Sequence, residues 1–502
     1  MNQPVKQGHP KGLYVLFATE MWERFNYYGM RAILVLFMTK ALLFDKVFAS
    51  NLYGSYTSLV YLTPLIGGFI SDKYWGNKRS IIAGGLVMAL GEIILFFCGS
   101  VYQSNQQLSS LLFFSGLGFM IAGNGFFKPN ISSLVGQLYP KNDRRIDPAY
   151  TIFYMGINVG GAIGPFICGL VGDTGNPADF KWAFLAAGIG MFLSVIVQII
   201  FQNKYLVDAD GNALGETPKG APKSWVSPFF MVVGLAVLSL IMIGLLYVDA
   251  KVFSFLSYLL VGALVLIGFM LFSDRSLSLM EKKKIAVIFV VSFFVVFFWS
   301  AFEQAGASLT FFADEQTNRQ LGWGLGELPA SFFQSLNSLF VVTLAPVFAW
   351  LWLKLGKNEP SSPTKMAIGL LLLSLGYLWI AFGVDNVQPG VKVSMIWLTG
   401  MYMLHTMGEL CLSPIGLSLV NKLAPVKFAS LLMAVWFLAN AFANKLAGAL
   451  SALYPENGKT TSFLGYEMTD LHGFFMLFVV MSGVAALILF LLTKWLQRLM
   501  QD

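Results

Sequence analysis

The chain has 502 residues, 56% of them hydrophobic and 12% charged, with a net charge of +7. The charged share is about half that of a soluble globular chain, which excludes a water-soluble multidomain protein and points to a bilayer as solvent. The basic residues lie in short loops and not along one stripe, which argues against a nucleic-acid surface, and Cys98, Cys168 and Cys411 are scattered through apolar runs without a disulfide or metal-site spacing.

Met1 to Lys11 is short and polar, so no cleavable signal peptide is expected. Apolar runs follow at 12–40, 51–72, 79–101, 108–138, 147–172 and 180–202. Each is long enough to cross a membrane, which takes roughly 20 residues. They are continuous, unlike the ~10-residue alternating strands of a barrel, so helices are predicted. The first run carries Glu20, Glu23, Arg24, Tyr27 and Arg31 at spacings of 3, 1, 3 and 4, which place them on one helical face with Tyr28 beside it. At ~1.5 Å per residue, Arg24 lies roughly 18 Å into this helix and Arg31 roughly 29 Å, near the outer surface. Two carboxylates beside a buried arginine form a pair that can exchange a proton when the arginine is engaged elsewhere. In the loop after the second span, Asp72 and Arg79 are placed to clasp neighbouring helix ends, and Gly76 permits a tight turn. The fourth span holds Lys128 just before Pro129, and the fifth holds Asn158.

The longest polar linker, 203–225, contains Gly, Pro and both charge signs. Two spans at 226–248 and 251–273 are charged only at their ends, as expected of accessory helices facing lipid. Six more spans follow at 284–312, 327–354, 363–384, 394–423, 428–453 and 470–496. They carry Trp299, Glu303, Asn337, His405, Glu409, Ser413, Trp436 and Lys445, and Asp314 follows the first of them. Arg31 and Asp314, or near neighbours, are expected to pair when the outside closes. A charge at a helix centre costs roughly 2.5–3.5 kcal/mol on an insertion scale, so these groups must face one another or a cavity. Glu92 and Lys445 are read as paired glue between helices, with outward snorkelling open to Lys445, and His405 is read as a packed neutral ring.

With a cytoplasmic N-terminus, only seven of the 33 Lys and Arg fall in outside loops: Lys40, Lys46, Lys181, Lys251, Arg319, Lys392 and Lys459. This bias and an even number of spans put both termini in the cytoplasm. The expected organisation is a six-helix bundle (1–202), a cytoplasmic linker (203–225), two accessory helices (226–273) and a second six-helix bundle (274–502). Two such bundles with sites near the membrane midplane are the plan of the major facilitator class.

Several motifs carry a closer resemblance. Glu20-x-x-Glu23-Arg24-Phe25-x-Tyr27-Tyr28-Gly29 resembles the first-helix motif of the proton-dependent oligopeptide transporter family. Gly123-Asn-Gly125-Phe-Phe-Lys128-Pro129-Asn130 resembles its fourth-helix motif, and Phe153-Tyr154-x-x-Ile157-Asn158-x-Gly160 its fifth-helix signature. Trp299-x-x-x-Glu303-Gln304 and Gly408-Glu409-Leu-Cys-Leu-Ser413-Pro414-Ile-Gly416 resemble its seventh and tenth core helices. The resemblance spans the whole chain, and the two accessory helices are similar to the bacterial branch. It implies an all-α polytopic protein of the bacterial inner membrane with the major facilitator fold and 14 transmembrane helices.

The implied activity is proton-driven import of di- and tripeptides, with no cofactor, no nucleic acid and no obligate protein partner. The bound species would be the peptide, protons and membrane lipid. By resemblance Arg24 and Lys128 with Tyr28 hold the peptide carboxylate, and Glu409 faces the ammonium. Asn158 and Asn337 are candidates to bond the termini or amides. Tyr27, Tyr61, Trp299 and Trp436 would wall the side-chain pockets, and Ser413 in the tenth-helix motif is a further substrate-binding candidate. Glu20, Glu23, Arg24 and Glu303 would carry the coupling proton. A polyspecific peptide site must grip the charged ends and leave the sides loose, which fits bases and an acid as opposite poles. A same-family carrier of another anionic or zwitterionic solute is the main alternative. A sugar or drug carrier needs no such poles. An intramembrane enzyme lacks support, since the chain shows no paired metal-ligand motif and no nucleophile with a base.

Overall fold

The computed structural model describes residues 8–140, 143–252, 254–322, 324, 326–387, 390–456 and 459–501. Among them are fourteen helices of 19 residues or more. In order they are α1 (Lys11–Leu36), α2 (Lys46–Ile70), α3 (Asn77–Val101), α4 (Gln106–Gln137), α5 (Ile146–Gly172) and α6 (Phe180–Tyr205). After the short α7 (Lys223–Val226) come α8 (Pro228–Lys251), α9 (Phe255–Ser273) and α10 (Leu279–Phe302). The eight-residue α11 (Ser308–Glu315) leads to α12 (Phe333–Leu355), α13 (Ser362–Val384), α14 (Met395–Leu423), α15 (Ala429–Ser451) and α16 (Leu471–Gln501).

Among the described residues, eleven candidate spans are long and apolar enough to cross a membrane by length and composition alone. Helix α1 is kept out of that set by its own buried charges, and α2 by its run of hydroxyl and amide side chains. Local signals set several starts. Asn105 caps α4 through the Leu108 N–H, and Ser278 and Glu281 form a reciprocal capping box on α10. Pro64, Pro129, Pro165 and Pro346 stand inside helices, where neighbouring helices can re-satisfy the freed carbonyls.

The chain forms two compact units. The first takes the chain up to Phe37 together with Leu62–Tyr247. In it α1 packs on α5 and α6, and α3 on α4 and α6. Gly156, Gly160 and Gly164 present a smooth stripe of α5 to α1. A Cβ at Gly160 would stand 2.8 Å from the Arg24 Cβ, and one at Gly164 would stand 2.5 Å from the Phe25 carbonyl oxygen. Only small residues at this spacing let two membrane helices approach so closely. The opposite side of α1 is bolted by hydrogen bonds. Ser194 donates to the Thr19 carbonyl at 2.6 Å, and Asn26 donates to Glu92 at 2.8 Å and to the Ala187 carbonyl at 3.0 Å. Glu92 is fully buried in this contact, as the sequence reading of it as glue expects.

The linker is anchored to the same unit. Lys78 pairs with Glu216 at 3.0 Å, the Trp75 indole donates to the Trp225 carbonyl, and Tyr74 stacks on Trp225 at 5.1 Å. Gly76 adopts φ +76, and a Cβ there would stand 2.5 Å from the Glu216 carbonyl oxygen. Only glycine meets both conditions without strain.

The second unit takes Met38–Tyr61 together with the chain from Val248 on. Here α13 packs on α14 and α16, α10 on α15 and α16, α12 on α14, and α9 on α15. The accessory helices, α9 here and α8, which belongs to the first unit as far as Tyr247, keep large apolar side chains on the surface, with Phe229 and Phe269 each 70% exposed. The predicted span 284–312 is interrupted. A 3-10 turn, Glu303–Gly306, separates α10 from α11, and Ala307 leaves the helical region at φ −135, ψ −88. Side chains hold this break. Gln304 donates to the Ser300 and Ala447 carbonyls, both at 3.0 Å, while Ser308 and Ser451 donate to its Oε1 at 2.6 Å.

Candidate functional site

In the first unit the α1 face predicted from spacing forms a closed charge cluster. Arg24 Nε donates to Glu20 Oε1 at 2.9 Å. It also stands 2.6 Å from Glu23 Oε2, an approach that pairs the charges but is off line for a hydrogen bond. Asn124 of α4 donates to the other Glu23 oxygen at 3.2 Å. The exposures of Glu20, Glu23 and Arg24 are 2%, 0% and 3%. Such a group is tolerable in an apolar bundle only because each charge has its partner in contact.

The two tyrosines extend the cluster along α1. Tyr27 and Tyr28 meet edge to face at 5.3 Å. The Arg24 guanidinium lies 5.6 Å from the Tyr27 ring and 5.9 Å from the Tyr28 ring, and Arg31 lies 5.3 Å from the Tyr28 ring on the other side. Tyr28 thus stands between two guanidiniums, an arrangement that ring quadrupoles favour. Lys128 is half-buried on α4, one turn from Asn124. Asn158 is buried and returns its amide N–H to the Tyr154 carbonyl of its own helix at 2.9 Å, so its side-chain oxygen is the atom left to accept. Asp72 and Arg79 are both exposed, and Arg79 reaches the Val226 carbonyl at 3.2 Å.

In the second unit Glu409 of α14 is 9% exposed, and its Oε2 accepts from Asn337 of α12 at 2.8 Å. Asn337 also donates to the Thr406 hydroxyl at 3.1 Å, which fixes the amide orientation. Glu303 is buried at the head of the 3-10 turn, where α10 stops being regular. Trp299 is half-buried and packs edge-on to Phe302 at 5.1 Å. Trp436 is buried against Gly416, whose missing Cβ leaves room for the indole. Ser413 is half-buried on α14, and Tyr61, half-buried on α2, is the last residue of this unit's first segment. His405 packs on Tyr377 at 4.7 Å and is 2% exposed, as expected of a packed ring.

The recorded partners of Asp314 are Lys40 at 2.7 Å and Arg319 at 3.3 Å, and Lys46 pairs with Glu315 at 2.6 Å. Lys40 lies nine residues beyond Arg31, past the end of α1. Of the two readings of Lys445 the structure shows the paired one, and outward snorkelling is corrected. Lys445 is 1% exposed, and its ammonium contacts Asp249 at 2.5 Å and Ser55 at 2.8 Å. A base held inside a packed unit must find an acid there, and Asp249 lies in the last turn of α8, the helix read as purely lipid-facing. Sequence reasoning also gave Gln304 no role of its own and left out the Lys78–Glu216 pair. For Lys445 there was a usable signal, because a lone base inside a span calls for a lone acid near another span's end.

Charged pairs sealed inside long apolar helices, with an arginine cluster in one unit and a hydrogen-bonded carboxylate in the other, define a membrane carrier for a charged solute. The particular kind follows from comparison with known proteins. The chain belongs to the POT family, whose model matches residues 78–464. It is 38% identical over 463 residues to the uncharacterized transporter YclF of Bacillus subtilis, covering 91% of this chain and 90% of that one. It is 33% identical to a di-/tripeptide transporter of Lactococcus lactis, covering 99% and 97%. Among solved structures, a mutant of the peptide transporter POT in complex with alafosfalin aligns with a TM-score of 0.82 at 32% identity, over 100% of this chain and 98% of that one. A POT family transporter in complex with 5-aminolevulinic acid aligns equally well, at 31% identity over 99% of both chains.

Proposed function

We propose that this protein is a proton-coupled symporter that imports di- and tripeptides across the bacterial inner membrane by alternating access. The observation that carries the reading is the sealed Glu20–Arg24–Glu23 cluster on α1, in a chain that di-/tripeptide transporters match over nearly its full length. All fourteen long helices cross the bilayer, with both termini cytoplasmic. They form two six-helix bundles of the major facilitator type, with α8 and α9 as accessory helices. The Lys and Arg bias of the loops supports this orientation.

Arg24 and Lys128, with Tyr28, hold the peptide carboxylate. Glu409, oriented by Asn337, receives the ammonium, and Asn158 accepts from an amide or terminus. Tyr27, Tyr61, Trp299, Ser413 and Trp436 line the side-chain pockets. The proton moves through Glu303 and the Glu20–Glu23–Arg24 group. Protonating a carboxylate weakens its grip on a base and changes the relative stability of the inward- and outward-facing states, as coupling requires. No cofactor takes part. One proton moving down 100 mV supplies about 2.3 kcal/mol, enough for nearly a fiftyfold concentration ratio.

The test is uptake of a labelled dipeptide by proteoliposomes under an imposed proton gradient. The expected result is saturable accumulation, competed by unlabelled di- and tripeptides and collapsed by a protonophore. Competition by nitrate or a sugar but not by peptides would overturn the assignment. Competition by 5-aminolevulinic acid alone would favour the small-zwitterion alternative.

A further inference from the structure

The second unit contains a buried charge node that the transport reading does not use. It joins residues 38–61 to the C-terminal half and to the accessory hairpin. Lys445 of α15 and Asp249 of α8 meet at 2.5 Å with side-chain exposures of 2% and 1%. The Ser55 hydroxyl of α2 accepts from Lys445 at 2.8 Å and contacts the same Asp249 oxygen. The second Asp249 oxygen accepts the Leu256 N–H at 2.9 Å, in the first turn of α9. Asp249 therefore does two jobs: it folds the α8–α9 turn and neutralises a base on α15.

The backbone around the node is in close contact. A Cβ at Gly54 would stand 2.7 Å from the Gly448 Cα, and one at Gly448 would stand 2.5 Å from the Ser50 carbonyl oxygen. Gly54 neighbours Ser55, and Gly448 is one turn from Lys445. The crossing of α2 and α15 is thus backbone on backbone, and it is what keeps water from the ion pair. Nearby, Lys40–Asp314 and Lys46–Glu315 tie the same segment to the end of α11.

We propose that Asp249 is a positioning residue for the outer gate, and that the accessory hairpin serves transport by supplying it. The inference rests on the alternating-access reading above. With α2 docked on α15, the ammonium of Lys445 is dry and must be neutralised by Asp249. When the outer end of α2 swings away, Ser55 leaves, water enters, and both charges are solvated. Asp249 thereby makes the outward-closed state tolerable. Without it, the closed state buries an unpaired ammonium and the open state does not. An exposed pair contributes little, so the effect falls almost wholly on closure.

The test reads gate opening directly and needs no substrate. Ser50 is fully buried on the outer half of α2. In a Ser50→Cys protein, in right-side-out vesicles, the rate of labelling by a membrane-impermeant maleimide reports exposure of this crossing. Adding Asp249→Asn should raise the rate about tenfold or more. The neutral pair Asp249→Asn with Lys445→Met should return it to the parent rate, because no dry charge remains. Ser55→Ala strands no charge and should raise the rate about threefold, so it carries the test if Asp249→Asn is not monodisperse. A parent-like labelling rate in well-folded Asp249→Asn, or in Ser55→Ala, would overturn the proposal. So would a double variant that labels as fast as Asp249→Asn alone. Failure of the peptide reading shows separately, as absent dipeptide exchange in the unmodified protein.

Discussion

Replacing Glu409 by Gln isolates the charge at the proposed ammonium site. The glutamine amide keeps an oxygen for the Asn337 donor that now stands 2.8 Å from Oε2, and Thr406 continues to hold Asn337 at 3.1 Å. The local frame therefore survives and the negative charge goes. A hydrogen-bonded charge pair that loses one partner while buried costs roughly 2–5 kcal/mol, or about 30- to several-thousandfold in affinity. Asn337→Ala removes instead one hydrogen bond to a charged group, about 1.5–3 kcal/mol, so its defect should be the smaller of the two. The assay is counterflow of labelled dipeptide over a range of concentrations, alongside its N-acetylated analogue, which lacks the ammonium. The parent should favour the free dipeptide strongly. Glu409→Gln should exchange it poorly and lose most of that preference. Normal exchange at low dipeptide concentration, or an unchanged preference over the acetylated analogue, would refute Glu409 as the ammonium partner.

Arg24→Ala and Lys128→Ala should each abolish peptide uptake while leaving membrane insertion intact, as checked by uptake and by yield of monodisperse protein. Arg24→Lys should also be impaired, because a point charge cannot keep the contacts that Nε makes with Glu20 and Glu23 and also offer a planar fork to the peptide carboxylate. Glu303→Gln should lose gradient-driven accumulation yet still exchange internal for external peptide, because exchange needs no return of the empty carrier. If it accumulates peptide normally, the α1 cluster carries coupling without Glu303.

The parts legible in the sequence were those whose partners lie within one helix. Glu20 and Arg24 are four residues apart, so helical periodicity alone brings them together, and the pair forms. The existence and order of the long helices were legible for the same reason, since long apolar runs give helices whatever surrounds them, while some limits were not, such as the starts of α2 at Lys46 and α12 at Phe333. What was not legible depends on partners far along the chain. Asp249 and Lys445 are 196 residues apart, and nothing local says that a lone acid ending an accessory helix meets a lone base in α15. The break after Glu303 was hidden because its residues are apolar or small on average. It is held open by Gln304, Ser308 and Ser451, the last 147 residues away from Gln304. The division of α2 at Tyr61 is likewise a property of packing.

The glycine stripe on α5 has a consequence for how selectivity can drift. Gly160 meets the Arg24 Cβ with nothing interposed, so the stem of the guanidinium is set by main-chain contact and has no soft neighbour to yield. Trp299, by contrast, is half-buried and meets the side chains of Phe298 and Phe302, not a main chain. A mutation that reshapes the lining near Trp299 can be absorbed locally. One that adds even a methyl group at Gly160 shifts the whole arginine frame. New substrates should therefore be gained by changing the panels and keeping the frame, and variants selected for altered side-chain preference should leave Gly156, Gly160 and Gly164 untouched.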